Sequence, residues 1–70
     1  MTAEELQQLS ENELQVKERE MREQLFRLRL QLVTGQMESI RKIRELRRDI
    51  ARLLTVRRAR QLMRGENVRS

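Results

Sequence analysis

Residues 34–55 read TGQMESIRKIRELRRDIARLLT, and this stretch decides the fold. Gly35 is placed to end a preceding helix, because glycine takes the left-handed conformation that a helix C-cap needs. Ser39 is placed to cap a new helix by accepting a bond from a free backbone N–H. From Ile40 onward two stripes separate when residues are set 100° apart. Ile43, Leu46, Ile50, Leu53 and Leu54 gather on one side. Arg41, Arg44, Arg48 and Arg52 gather on the other, with few acids among them. One face can pack against protein. The other is a row of guanidinium groups suited to a densely negative partner.

Upstream, Thr2-Ala-Glu-Glu5 and Ser10-Glu-Asn-Glu13 are capping-box patterns, each opening a helix. Leu9 and Leu14 flank the second cap as a hydrophobic staple. Helices are predicted over about residues 3–8, 11–34 and 40–63, with a flexible tail over 65–70. Leu14, Met21, Leu25, Leu28 and Leu32 form the apolar stripe of the second helix, interrupted by Glu18. Glu18 with Arg22 and Glu23 with Arg27 are acid-before-base pairs at helical spacing. The short connection turns the third helix back against the second. Leu28 and Leu32 then face Ile43 and Leu46, and Leu14 and Met21 lie nearer Leu53 and Leu54. Phe26, Leu30 and Val33 sit off the main stripe and are expected to widen the core near the turn; the alternative is a contact surface. Arg57 falls on the core stripe, so apolar packing is expected to thin there. The fold class is all-α: one domain over residues 1–64, a long antiparallel two-helix hairpin with a short N-terminal helix.

Composition narrows the function. The chain of 70 residues has no cysteine, histidine, tryptophan, tyrosine or proline, and one phenylalanine. No thiolate or imidazole is present for nucleophilic catalysis or soft-metal binding. The acids are spread along helices without convergent spacing, and no glycine loop cradles phosphate. Glu45 and Asp49 read as salt-bridge partners of neighbouring arginines. No enzyme activity, cofactor, metal or small-molecule substrate is expected. No run of consecutive apolar residues exceeds two, so neither a membrane span nor a signal peptide is predicted. The chain is expected to stay in the cytoplasm where it is made.

The charge is uneven. Residues 1–23 carry seven acids and three bases, and residues 24–70 carry four acids and thirteen bases, so −4 and +9 sum to the net +5. Fourteen of the sixteen bases are arginine, whose planar fork fits phosphate oxygens. A basic helix face of this kind suits the backbone of RNA, which is met through shape and phosphates. Arg41, Arg44, Arg48 and Arg52 are the first candidates, and Arg58 continues the charge. A coiled-coil adaptor pairing with another helical protein is the competing reading. A basic helix lying on an anionic membrane ranks last.

Three segments carry a resemblance. Glu23-Gln-Leu-Phe-Arg-Leu-Arg-Leu-Gln31, Thr34-Gly-Gln-Met37 and Ile43-Arg-Glu-Leu-Arg-Arg-Asp-Ile-Ala-Arg-Leu53 closely resemble the bacterial large-subunit ribosomal protein number twenty-nine family. The likeness runs from residue 5 to about residue 56. It implies a helical hairpin bound to large-subunit ribosomal RNA near the exit of the nascent-peptide tunnel, supporting translation on the cytoplasmic ribosome. It implies ribosomal protein number twenty-three as a neighbour, in a region where chaperones and targeting factors dock. Carried over by position, Arg29, Gln31, Thr34, Gly35 and Gln36 near the turn, and Arg44, Arg47, Arg48 and Arg52 on the third helix, are RNA-contacting or turn-forming. Asp49 is expected to orient a neighbouring arginine, and Ala51 to permit close approach.

Overall fold

The computed structural model describes residues 1–65. Three helices follow in order: α1 (Ala3–Gln7), α2 (Glu11–Val33) and α3 (Ser39–Met63). No strand is present among the described residues. The tail expected over 65–70 lies, apart from Gly65, outside them.

The starts of α1 and α2 follow from their caps. The Thr2 hydroxyl accepts from the Glu5 backbone N–H at 3.2 Å. The Ser10 hydroxyl accepts from the Glu13 N–H at 3.2 Å, and the Glu13 carboxylate accepts from the Ser10 N–H at 3.1 Å. Both halves of a capping box are therefore formed at α2. At α1 the Glu5 carboxylate accepts from the Thr2 hydroxyl rather than from its backbone.

The end of α2 is set by Gly35, whose φ of 96° lies in the left-handed region. The Gln36 N–H donates to the Gln31 carbonyl at 3.1 Å and the Gly35 N–H to the Leu32 carbonyl at 3.0 Å. These two bonds make a Schellman motif and satisfy carbonyls that the helix would otherwise leave open.

The start of α3 corrects one expectation. Ser39 does not cap the helix. The capping position falls on Glu38, which makes no side-chain cap bond. Met37 and Glu38 already form a tight turn, with the Ser39 and Ile40 N–H groups bonded to the Gln36 and Met37 carbonyls. Ser39 thus enters the first helical turn and points at α2, only 1% exposed. Its hydroxyl donates to the Gln31 Oε1 at 3.1 Å, which pins the two helices together beside the turn.

α2 and α3 run antiparallel. Gln31 meets Ser39 at the turn, and Glu11 and Glu18 meet Arg57 at the far end. Between these points Met21, Leu28, Leu46 and Ile50 are buried along one seam, with Leu25 and Ile43 packed against it. At the open end α1 lies across α3. Leu6, Leu14 and Leu53 are the most completely buried apolar side chains among the described residues, at 0–1% exposure. On α3 apolar burial ends at Val56, just before Arg57 as expected, and α1 closes the hairpin over Leu6, Leu14 and Leu53. The same contact turns the buried sector of α3 toward Val56 and away from Leu54. Val56 is buried, and Leu54, expected in the core, is 40% exposed.

Phe26, Leu30 and Val33 do not widen the core. They are 63%, 52% and 84% exposed. Two helices make a single seam, and no third element covers the side of α2 on which these residues stand.

Candidate nucleic-acid interface

The outer face of α3 follows from its seam. Helical spacing places Arg41, Arg44, Arg48 and Ala51 opposite Leu46, Ile50 and Leu53, with Arg47 and Arg58 at one edge. All six are exposed. None of these five arginines makes an ion pair or side-chain hydrogen bond. Their guanidinium groups are open to an external acceptor. Near the turn Arg29 and Gln36 are also exposed.

Two sequence candidates already hold the fold. Arg52 donates from Nη1 to the Met1 carbonyl at 2.8 Å and lies 3.7 Å from the Asp49 carboxylate. Asp49 thus stands beside a neighbouring arginine as expected, whereas Glu45 pairs with none. The Gln31 side-chain oxygen is engaged by Ser39, and its backbone carbonyl takes the Thr34 hydroxyl at 2.7 Å.

Two further arginines have roles that sequence reasoning missed. Arg57 donates to Glu11 at 2.9 Å and to Glu18 at 2.8 Å. Glu18 also accepts from Arg22 at 2.9 Å. Partial burial opposes the charge on Glu18, but the bonds from Arg22 and Arg57 outweigh it and hold the carboxyl below its ordinary value of 4.5. Burial likewise opposes the charge of Arg57, and its bonds to Glu18 and Glu11 more than compensate, so its pKa is raised. The Glu13 carboxyl is also lowered, by the Ser10 backbone N–H and then by the Ser10 hydroxyl. Arg60 reaches back to α1, and its Nη2 lies 2.9 Å from the Gln7 carbonyl and 2.6 Å from the Leu9 carbonyl. The Gln7 carbonyl is one that a five-residue helix leaves open at its C-terminus, and the Leu9 carbonyl follows it in the turn to α2. A signal existed for Arg57: Glu18 breaks the stripe of α2, Arg57 breaks that of α3, and an antiparallel hairpin sets them opposite each other.

The arrangement divides the arginines of α3. Arg57 and Arg60 face α2 and α1, Arg52 reaches the Met1 carbonyl and Asp49, and all three satisfy carbonyls or carboxylates of the chain itself. Arg41, Arg44, Arg47, Arg48 and Arg58 face outward and pair with no acid, although Glu45 stands four residues after Arg41. No group of three His, Cys, Asp or Glu side chains that could hold a metal occurs among the described residues. No helix among them is long and apolar enough to cross a membrane.

Comparison with known proteins places this geometry. The family described as Ribosomal L29 protein matches residues 4–60. The chain belongs to the ribosomal L29 protein family. It is 50% identical over 62 residues to the large ribosomal subunit protein uL29 of Saccharopolyspora erythraea, covering 89% of this chain and 78% of that relative. It is 52% identical over 62 residues to the protein of the same name from Cutibacterium acnes, covering 89% and 80%. The Leuconostoc citreum protein of that name is 52% identical over 60 residues, covering 86% of this chain and 88% of its own length. No solved structure matches. L29 membership makes the chain a structural ribosomal protein and not an enzyme. The relatives named here are large ribosomal subunit proteins, which favours a ribosomal role over a non-ribosomal adaptor.

Proposed function

We propose that the chain is a constituent of the large ribosomal subunit that holds ribosomal RNA through the outer face of α3. The observation that carries this reading is the row Arg41, Arg44, Arg47, Arg48 and Arg58, exposed and without internal partners, on a helix whose opposite face is fixed in the core. Guanidinium groups so placed neutralise phosphates of RNA segments that would otherwise repel one another. The apolar seam keeps the pin straight and the charges in register. Arg29 and Gln36 extend the contact around the turn. Arg52 and Gln31 contribute from its margin, where each also serves the fold.

The first turn of α3 supports the same reading. It carries Arg41 and Lys42 and no acid. Cations there oppose the helix dipole, and a bound phosphate offsets that cost. The resemblance of the sequence to its family supports a position on the cytoplasmic ribosome near the tunnel exit. There ribosomal protein number twenty-three is the neighbour, and chaperone or targeting factors dock.

The test is the salt dependence of binding to protein-free large-subunit RNA. Arg41→Gln, Arg44→Gln and Arg48→Gln together leave helicity unchanged, since none of the three has an internal partner. The slope of log affinity against log salt becomes shallower by roughly 2–3, as expected for three lost phosphate contacts. A triple variant with the slope of the parent chain overturns the proposal.

A further inference from the structure

Phe26 is the one aromatic residue of the chain, and the fold leaves it 63% exposed on α2. It stands in a shallow, largely open recess on α2 lined by Arg19, Arg22, Glu23, Phe26 and Arg27. The lining carries three cations and one anion. Arg22 is engaged by Glu18 at 2.9 Å. Arg27 lies 3.9 Å from Glu23 with both side chains mostly in water. Arg19 makes no bond. Two guanidinium groups are thus available around an uncovered ring, on a helix other than the one that carries the arginine row.

We propose that this recess takes an unpaired RNA nucleotide, its base stacked on Phe26 and its phosphate held by Arg19 and Arg27. This rests on the RNA-binding reading above and deepens it. A nucleotide joins a flat apolar face to an anion in a single unit, which is the pairing of surfaces the recess offers. Base–aromatic stacking is tolerant of base identity, because every base has a π-face. An apolar protein surface large enough to cover the ring would strip water from guanidinium groups while giving them no acceptor, which is unfavourable. The hairpin would then be gripped by RNA on both of its outer sides: phosphates along α3, and a splayed base on α2.

The chain has no tryptophan, so Phe26→Trp installs a single fluorescent reporter at the proposed contact. The exposure of the ring means that neither this variant nor Phe26→Leu should disturb the fold, which circular dichroism checks. Each is titrated with protein-free large-subunit ribosomal RNA, binding being followed separately by filter retention. Quenching of the tryptophan in step with retention, with a loss of about ten- to hundredfold in affinity for Phe26→Leu, is the expected result. Retention with unquenched emission, or full affinity in Phe26→Leu, overturns the stacking proposal and leaves the arginine face standing. Failure of the parent chain to bind RNA overturns both. Emission that changes only on incorporation into whole subunits, and not with RNA alone, assigns the recess to a protein neighbour and overturns this proposal too.

Discussion

Arg57 shows how much one side chain decides. It sits on the core side of α3, where an unpaired cation would be costly, and meets two carboxylates from α2. Arg57→Leu alone leaves Glu18 with only Arg22 and Glu11 with only the more distant Arg60, and is expected to cost about 1–3 kcal/mol. Adding Glu18→Leu should recover much of that loss, and urea unfolding of the single and double variants measures both. The Glu18 carboxyl is lowered in the folded chain, so its contribution is present above the ordinary value of 4.5 and is lost as pH falls through the lowered one. Stability followed by urea unfolding should therefore decline below about pH 4.5, and less so in the double variant. Ile50 and Leu54 make a second contrast. Ile50→Ala, at a buried position, should cost about 2–4 kcal/mol. Leu54→Ala should cost under about 1 kcal/mol, because much of that side chain is already in water. Helical spacing alone gave the three leucines and two isoleucines of this stripe equal standing. Only the placement of α1 against α3 separates Val56, which is buried, from Leu54, which is not.

At the scale of elements, the hairpin was legible because its signals are local. Two capping boxes, a glycine with positive φ and a continuous apolar stripe each act within a few residues. The start of α3 was not legible. Ser39 has the right chemistry for a cap, but its role is set by Gln31, eight residues earlier and across the turn. The site was legible to the same degree. A three-four-four spacing reveals the arginine face, yet nothing local says that Arg52 will bind the Met1 carbonyl. The attachment of α1 belongs to this class too. Five residues do not hold a helix alone in water, and Leu6 and Arg60 supply what is missing. Arg60→Met is expected to raise amide hydrogen exchange over residues 3–9 by tenfold or more, as loss of about 1.5 kcal/mol of hydrogen bonding implies. Protection within α2 and the first half of α3 should be unchanged. Equal protection of α1 in the variant would mean that apolar burial alone holds it.

The whole molecule is a pin, about 46 × 27 × 17 Å along its principal axes. Its seam is narrow, and its charges are sorted by direction. Arginines that face inward are paired, and those on the outer face of α3 are not. Family membership supplies the setting in which such a surface is useful, a ribosomal particle built on RNA. The central claim is that the outward arginines, and not the fold as such, hold the chain in the subunit. The direct measurement is occupancy of a tagged chain on large subunits sedimented from lysate in low and in high salt. The parent chain should co-sediment at close to one copy per subunit and be lost progressively as salt rises. The variant with Arg41, Arg44 and Arg48 changed to glutamine should keep its helicity and dissociate at markedly lower salt. Equal occupancy of parent and variant across the salt range would contradict the account.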